Sequence, residues 1–178
     1  MKKTTLNEIR LLASEAKNKI DKIYLHWTAG VYDDASEDYH LNINQDGSIV
    51  LTCNNFTDYK NHTWHRNSNA IAIVMTCCAG AVAYSANNID YGDYPPTAAQ
   101  IETMAKIVAV LSDELGLEIN SNNVLTHCEA AELDGYGPTT TCERWDLWSL
   151  PDVNCDNKLK PGGDVIRGKA IWWQNNGV

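Results

Sequence analysis

Ala70-Ile71-Ala72-Ile73-Val74-Met75-Thr76 is an unbroken apolar run of strand length, preceded by a long polar stretch from Asn54 to Asn69. A strand without a polar face must be covered on both sides, so this run belongs at the centre of a sheet lying between other layers. Two further β-like runs end in or near a histidine: Lys22-Ile23-Tyr24-Leu25-His26-Trp27-Thr28 and Asn123-Val124-Leu125-Thr126-His127. Leu41 to Asn44 and Ser48 to Thr52 flank Gln45-Asp46-Gly47. An Asp-Gly pair between alternating runs predicts a hairpin with φ > 0 at both central turn positions.

Helical spacing fills the intervals. Thr5-Leu6-Asn7-Glu8 is a capping box, and Leu6, Ile9, Leu12, Ala16 and Ile20 follow it, which predicts a helix from about Thr5 to Lys19. Thr97-Ala98-Ala99-Gln100 is a second box, placed just after Pro95-Pro96. Ile101, Met104, Val108, Leu111 and Leu115 then mark one face of a helix that Gly116 stops. Asp164 is a candidate cap for a last helix carrying Val165, Ile166, Ala170 and Trp173. Val31 to Asp38 and Asn87 to Pro96 read as loops, and Glu129 to Asp152 as mostly irregular. The sum is an α/β chain: a single layered domain over 1–178, with a central mixed β-sheet flanked by helices.

Bulk properties narrow the function classes. At 178 residues, 44% hydrophobic and 21% charged, the chain can bury a core without staples. No stretch approaches the roughly 18 apolar residues of a membrane span. Glu8, Arg10, Glu15 and Lys17 break any apolar signal region near the N-terminus, so the expectation is a protein made in the cytoplasm without a signal peptide. The net charge of −9 comes without a basic stripe, which argues against nucleic acid as a partner. The six cysteines are Cys53, Cys77, Cys78, Cys128, Cys142 and Cys155. They contain no Cys-x-x-Cys pair and are expected as reduced thiols, some of them buried. The acidic loop Asp33-Asp34 with Glu37-Asp38 lacks the ligand spacing of a calcium loop and reads as solvated.

The chemistry-bearing residues are His26, His127 and the Asp146 of Arg144-Trp145-Asp146. Two imidazoles and a carboxylate make a zinc site with one coordination position left open. Each histidine taken singly has a plainer reading as a hydrogen-bonded core residue, and the spacing of the pair matches no compact metal motif.

An ordered series of short elements adds to this: Tyr24-Leu25-His26-Trp27-Thr28, Tyr39-His40-Leu41-Asn42-Ile43 with Asp46-Gly47, Thr63-Trp64-His65, Asn69-Ala70-Ile71-Ala72-Ile73, Thr126-His127 and Arg144-Trp145-Asp146. In this order, from about Lys22 to Asp152, the chain resembles the type 2 zinc N-acetylmuramoyl-L-alanine amidases. That family includes peptidoglycan recognition proteins and small phage lysozyme-amidases. The resemblance implies a Zn2+ ion held by His26, His127 and Asp146, with Tyr39 and Arg144 as catalytic groups at the scissile carbonyl and His65 and Asn69 near the substrate groove. It implies that His40 is not a ligand. The implied substrate is peptidoglycan or a muropeptide, cut at the amide between N-acetylmuramic acid and L-alanine by water activated at the zinc. The implied context is a phage or prophage lysin acting on the bacterial wall after release, with a delivered toxin or a recycling enzyme as alternatives.

Three departures from the family pattern matter. Val74 stands where some relatives carry a catalytic Glu, so the proton-transfer residue is open, with Glu129 and Glu143 as fallbacks whose plainer reading is surface carboxylates. Cys142 rivals Asp146 as third ligand, since thiolate binds zinc well. Leu147-Trp148 replaces a Pro-Gly pair, and Trp145 and Trp148 are either groove walls or core. Two competing functions remain: a binding module of the same fold that does not cut, and a thiol hydrolase using Cys128 or Cys142. Oligomeric state is not legible.

Overall fold

The computed structural model describes residues 1–152 and 158–178; Cys155 lies outside the described residues. In chain order the elements are β1 (Lys2–Thr4), α1 (Leu6–Glu15), β2 (Lys22–Trp27), β3 (Leu41–Ile43), β4 (Ile49–Leu51), β5 (Ala70–Met75), β6 (Val82–Ser85), β7 (Asn88–Asp90), α2 (Ala98–Leu115), β8 (Val124–Thr126), α3 (His127–Leu133), β9 (Ser149–Pro151), β10 (Leu159–Pro161) and α4 (Gly162–Asn176).

The main sheet runs β1-β4-β3-β5-β2-β8. β5 pairs in parallel with β3 and β2, β2 pairs in parallel with β8, and the β1-β4-β3 edge is antiparallel, so the sheet is mixed. β5 is buried along its whole length, as its unbroken apolar sequence requires. Side chains alternate across it. Ile71, Ile73 and Met75 join Ile23, Leu25 and Trp27 of β2 on the face covered by α1, α2 and α4, where Ile9, Met104, Val108 and Ile166 complete the core. The opposite face carries a smaller cluster of Tyr24, Ala70, Leu125 and Ala130, the last from α3. His26, His40, Asn42 and Val74 alternate onto that second face and are fully buried.

Local chemistry explains where elements start. Thr5 and Thr97 both form reciprocal capping boxes, with Glu8 and Gln100. α1 nevertheless ends at Glu15, short of Lys19. The 41–51 hairpin differs from its sequence reading. Gly47 alone takes positive φ (84°), and its N–H bonds to the Asn44 carbonyl. That is a tight turn with one left-handed residue rather than a two-residue turn with two.

Two further expectations are corrected and one is refined. Asn87 to Pro96 is not all loop, since Asn88–Asp90 pairs with Val82–Ser85. Glu129 to Asp152 is mostly irregular, as expected, but its two ends are ordered: α3 opens at His127 under a third capping box, Thr126 with Glu129, and runs to Leu133, and β9 takes Ser149–Pro151. Asp164 does not cap α4. It sits inside the first turn, and Pro161 at the cap position supplies no side-chain bond. Cys53, Cys77, Cys78, Cys128 and Cys142 are free thiols.

Candidate metal centre

The parallel pairing of β2 with β8 places Leu25 opposite Thr126, so the next residues, His26 and His127, emerge together at the strand ends. Strand ends of parallel sheets are where sites collect, because the chain leaves the sheet there. His26 is the last residue of β2 on the second face, one before the terminal Trp27, and His127 is the first residue of α3. Their ring centroids lie 4.8 Å apart.

Asp146 reaches both. Its Oδ2 is 3.2 Å from His26 Nδ1 and its Oδ1 is 3.3 Å from His127 Nδ1. One donor atom from each residue lies within 4.8 Å of the others. The loop that delivers Asp146 is tightly held: Arg144 and Leu147 take φ of 47° and 60°, a region L residues rarely adopt. The Asp146 carbonyl accepts from Cys128 N–H at 3.4 Å, tying the loop to α3.

The electrostatics suit a cation. Burial pushes the His26 imidazole down to about 4 against the opposing pull of Asp146, so it is neutral at ordinary pH. A neutral imidazole is what a metal needs. Burial alone would raise the Asp146 carboxyl, but the charge of His127 and hydrogen bonds from both histidines outweigh it and hold it well below the usual carboxylate range. With both Nδ1 atoms turned toward the carboxylate, His127 Nε2 is buried and has no partner among the described residues. Two imidazoles and one carboxylate on converging atoms fit Zn2+, whose protein sites use N and O donors in this number.

The cluster opens into a cleft of about 570 Å³ whose walls include Tyr39, Arg144, Trp145, Trp64, His62 and Thr63. Tyr39 stacks at a tilt on His26, with centroids 5.0 Å apart. Its backbone carbonyl accepts from the Thr52 hydroxyl. Burial, with Asp146 adding to it, pushes the Tyr39 phenol up, so it stays protonated and can donate. Trp145 does both things its sequence allowed. It lines the cleft and packs edge-on against Trp27, 5.4 Å between centroids. Trp148 lies outside this cleft, in a hollow beside Gly162 and Gly163.

The structure does not bring His65 and Asn69 to the cleft. His65 sits against Trp64 in a shallow hollow with Arg66 and Asp134, and Asn69 lines a hollow with Lys19 and Phe56. The imidazole that does reach the cleft from this segment is that of His62, three positions before His65. His40 is buried, its ring bonded to backbone on both sides: Nδ1 accepts from Ala72 N–H at 3.0 Å and Nε2 faces the Asp58 carbonyl at 2.8 Å. Glu129 is held by Thr126 N–H and Arg167, away from the cleft. Val74 pairs in register with His26, so the site's immediate neighbour on β5 is apolar. Among the described residues lining the cleft, Asp146 is the sole carboxylate. Cys142 is exposed and outside the three-residue cluster. Burial, with Asp146 and two glutamates adding to it, pushes the Cys128 thiol up, which disarms it as a nucleophile.

Residues 16–145 match the sequence profile of the N-acetylmuramoyl-L-alanine amidases. The chain belongs to that family. Its activity is that of a peptidoglycan amidase, which hydrolyses the bond between N-acetylmuramic acid and L-alanine. No curated protein sequence matches the amidase. Solved structures that resemble it include two N-acetylmuramoyl-L-alanine amidases. One is the endolysin N-acetylmuramoyl-L-alanine amidase LysCS from Clostridium intestinale URNW, at 15% identity and TM-score 0.43, covering 61% of this chain and 69% of that one. The other is the amidase LysC from the same organism, at the same identity, TM-score and share of this chain, covering 70% of its own length. No helix among the described residues of the amidase is long and apolar enough to cross a membrane.

Proposed function

We propose that the amidase is zinc-dependent, with His26 and His127 binding through Nδ1 and Asp146 through its carboxylate. The observation that carries this is the convergence of these three donor atoms within 4.8 Å at the floor of the cleft. When bound, zinc supplies Lewis-acid polarisation of the amide carbonyl and lowers the pKa of a coordinated water to about 7.

The chain's own groups do the rest. Tyr39 lies beside His26 with its O–H intact and donates to the carbonyl oxygen as negative charge grows there. Arg144, on the cleft wall, carries a permanent positive charge to the same oxygen. Trp64, 62% exposed, offers a flat apolar face at the rim for the glycan or stem peptide. With Val74 in place of a carboxylate, proton traffic falls to Tyr39 and the water in the open cleft. Residues 1–178 act as one catalytic domain, since α1, α2 and α4 share a single core against the sheet. The role we propose is a lysin's, cutting intact wall.

The test is metal analysis of the purified protein together with mass spectrometry of products from intact sacculi. We expect one zinc per chain, activity lost to a zinc chelator and restored by zinc, and free stem peptides beginning with L-alanine. Full activity in the chelated protein would end the zinc reading. Cleavage of small muropeptides with sacculi left intact would end the lysin reading.

A further inference from the structure

His62 is used by nothing so far described, yet it is 6% exposed, lines the cleft, and its Nε2 is buried without a partner among the described residues. Its other nitrogen is engaged. Nδ1 lies 2.9 Å from Thr63 Oγ1, and the same hydroxyl lies 3.3 Å from His26 Nε2. A single threonine oxygen therefore joins His62 to a residue of the metal centre. The turn that presents the pair is braced by Asn67, whose Oδ1 accepts from both His62 N–H (3.1 Å) and Thr63 N–H (2.8 Å).

Proton bookkeeping gives this chain a direction. If His26 uses Nδ1 for the metal, its one proton sits on Nε2 and is donated to Thr63 Oγ1. The Thr63 hydroxyl then has its own proton to give, and His62 Nδ1 is its acceptor. A neutral His62 that accepts at Nδ1 must carry its proton on Nε2, the nitrogen with no protein partner. A buried donor left unpaired is costly, and it costs least when a ligand satisfies it.

We propose that His26, Thr63 and His62 form a one-way hydrogen-bond relay. Thr63 is the positioning residue that keeps His26 Nδ1 free for metal, and His62 presents Nε2–H into the cleft as a donor to a substrate carbonyl. The proposal rests on the zinc reading above. It assigns substrate recognition to a loop imidazole, on a cleft whose carboxylate is fully occupied by the two metal-site histidines.

The experiment uses the full zinc-loaded chain. Long-range 1H–15N spectra report each histidine's tautomer, and chelator competition with zinc alone reports metal affinity. We expect His62 as the Nε2–H tautomer and His26 with its proton on Nε2. Thr63→Val should weaken zinc about tenfold, and Thr63→Ser should restore it. His62→Phe should keep zinc and raise KM for a muropeptide at least about tenfold with a smaller change in kcat. A proton on His62 Nδ1, wild-type zinc affinity in Thr63→Val, or an unchanged KM in His62→Phe would each overturn the relay while zinc stays bound. A wild-type chain that binds no zinc would instead bring down the reading beneath it.

Discussion

Glu129 and Arg167 face each other through two parallel hydrogen bonds of 2.8 and 2.9 Å. The same guanidinium donates to the Val124 carbonyl at 2.9 Å and to Asp164 at 2.7 Å, and the same carboxylate accepts from Thr126 N–H at 2.8 Å. One ion pair thus fastens α4 to the end of β8 and to the cap from which His127 leaves. Arg167→Met leaves Glu129 and the Val124 carbonyl without this partner. We expect a loss of about 2 kcal/mol in urea unfolding, at the low side for a broken pair because Glu129 is partly solvated. Glu129→Gln, which keeps the cap geometry, should lose less.

Asp146 clusters with His26 and His127 and Cys142 does not, so Asp146 is the third ligand we propose. Asp146→Ala should drop zinc content below stoichiometry and abolish turnover. Cys142→Ser should leave both unchanged. Zinc retained at wild-type affinity by Asp146→Ala would transfer the role to another donor.

Tyr39→Phe removes a hydroxyl and little else, since no partner among the described residues accepts from that oxygen. We expect full zinc occupancy, an unchanged melting temperature, and kcat reduced by about 100-fold, the scale of losing one donor to a developing oxyanion. Unchanged kcat would remove Tyr39 from the chemistry.

The pH dependence of folding has a source in His40. Burial pushes its imidazole down to about 4, from an ordinary value of 6.5, while the Asp58 carbonyl opposes the shift. The unfolded chain therefore binds the proton more readily, and stability falls as pH drops from 6.5 toward 4. Below that both states are protonated and the loss is complete, at about 3 kcal/mol for this one group. Protonation also takes away the acceptor for Ala72 N–H. Urea midpoints between pH 7 and 4 should fall for the wild type and fall less for His40→Gln. An equal slope in both would place the acid sensitivity elsewhere.

Gly162 touches the backbone that delivers Asp146. A Cβ there would stand 2.2 Å from the Leu147 carbonyl oxygen, and backbone cannot step aside as a flexible side chain can. Gly162→Ala should cost about 1–3 kcal/mol in stability, the range for overpacking. It should also weaken zinc binding, because Leu147 directly follows Asp146, the proposed ligand. Unaltered zinc affinity would show that the loop and α4 move independently.

The parts of the molecule legible in sequence are those ruled by periodicity or by side-chain caps. β5 announces itself through six consecutive buried residues, and α2 through its apolar face, Thr97 box and Gly116 stop. α3 escaped because seven residues are too few to show a period, although Thr126-His127-Cys128-Glu129 spells its capping box in plain letters. The zinc-type cluster was legible only through the order of short elements along the chain, since its three residues come from distant segments. His62 escaped for a different reason. In Asn61-His62-Thr63-Trp64-His65 either imidazole can be read as the inward one. The choice is made by the left-handed backbone at His65 (φ 58°) and by the brace from Asn67, neither of which has a sequence period.

β2 lies between β5 and β8, and the metal-site atoms come from its end, from the residue after β8 and from a loop beyond α3. No part of the grip is local. A metal held by these three residues would need β8 docked beside β2 and the loop after α3 in place, because the donors come from three separate segments. On the zinc reading proposed above, a chain that stops short of Asp146 holds only two of the three donors and cannot complete the site.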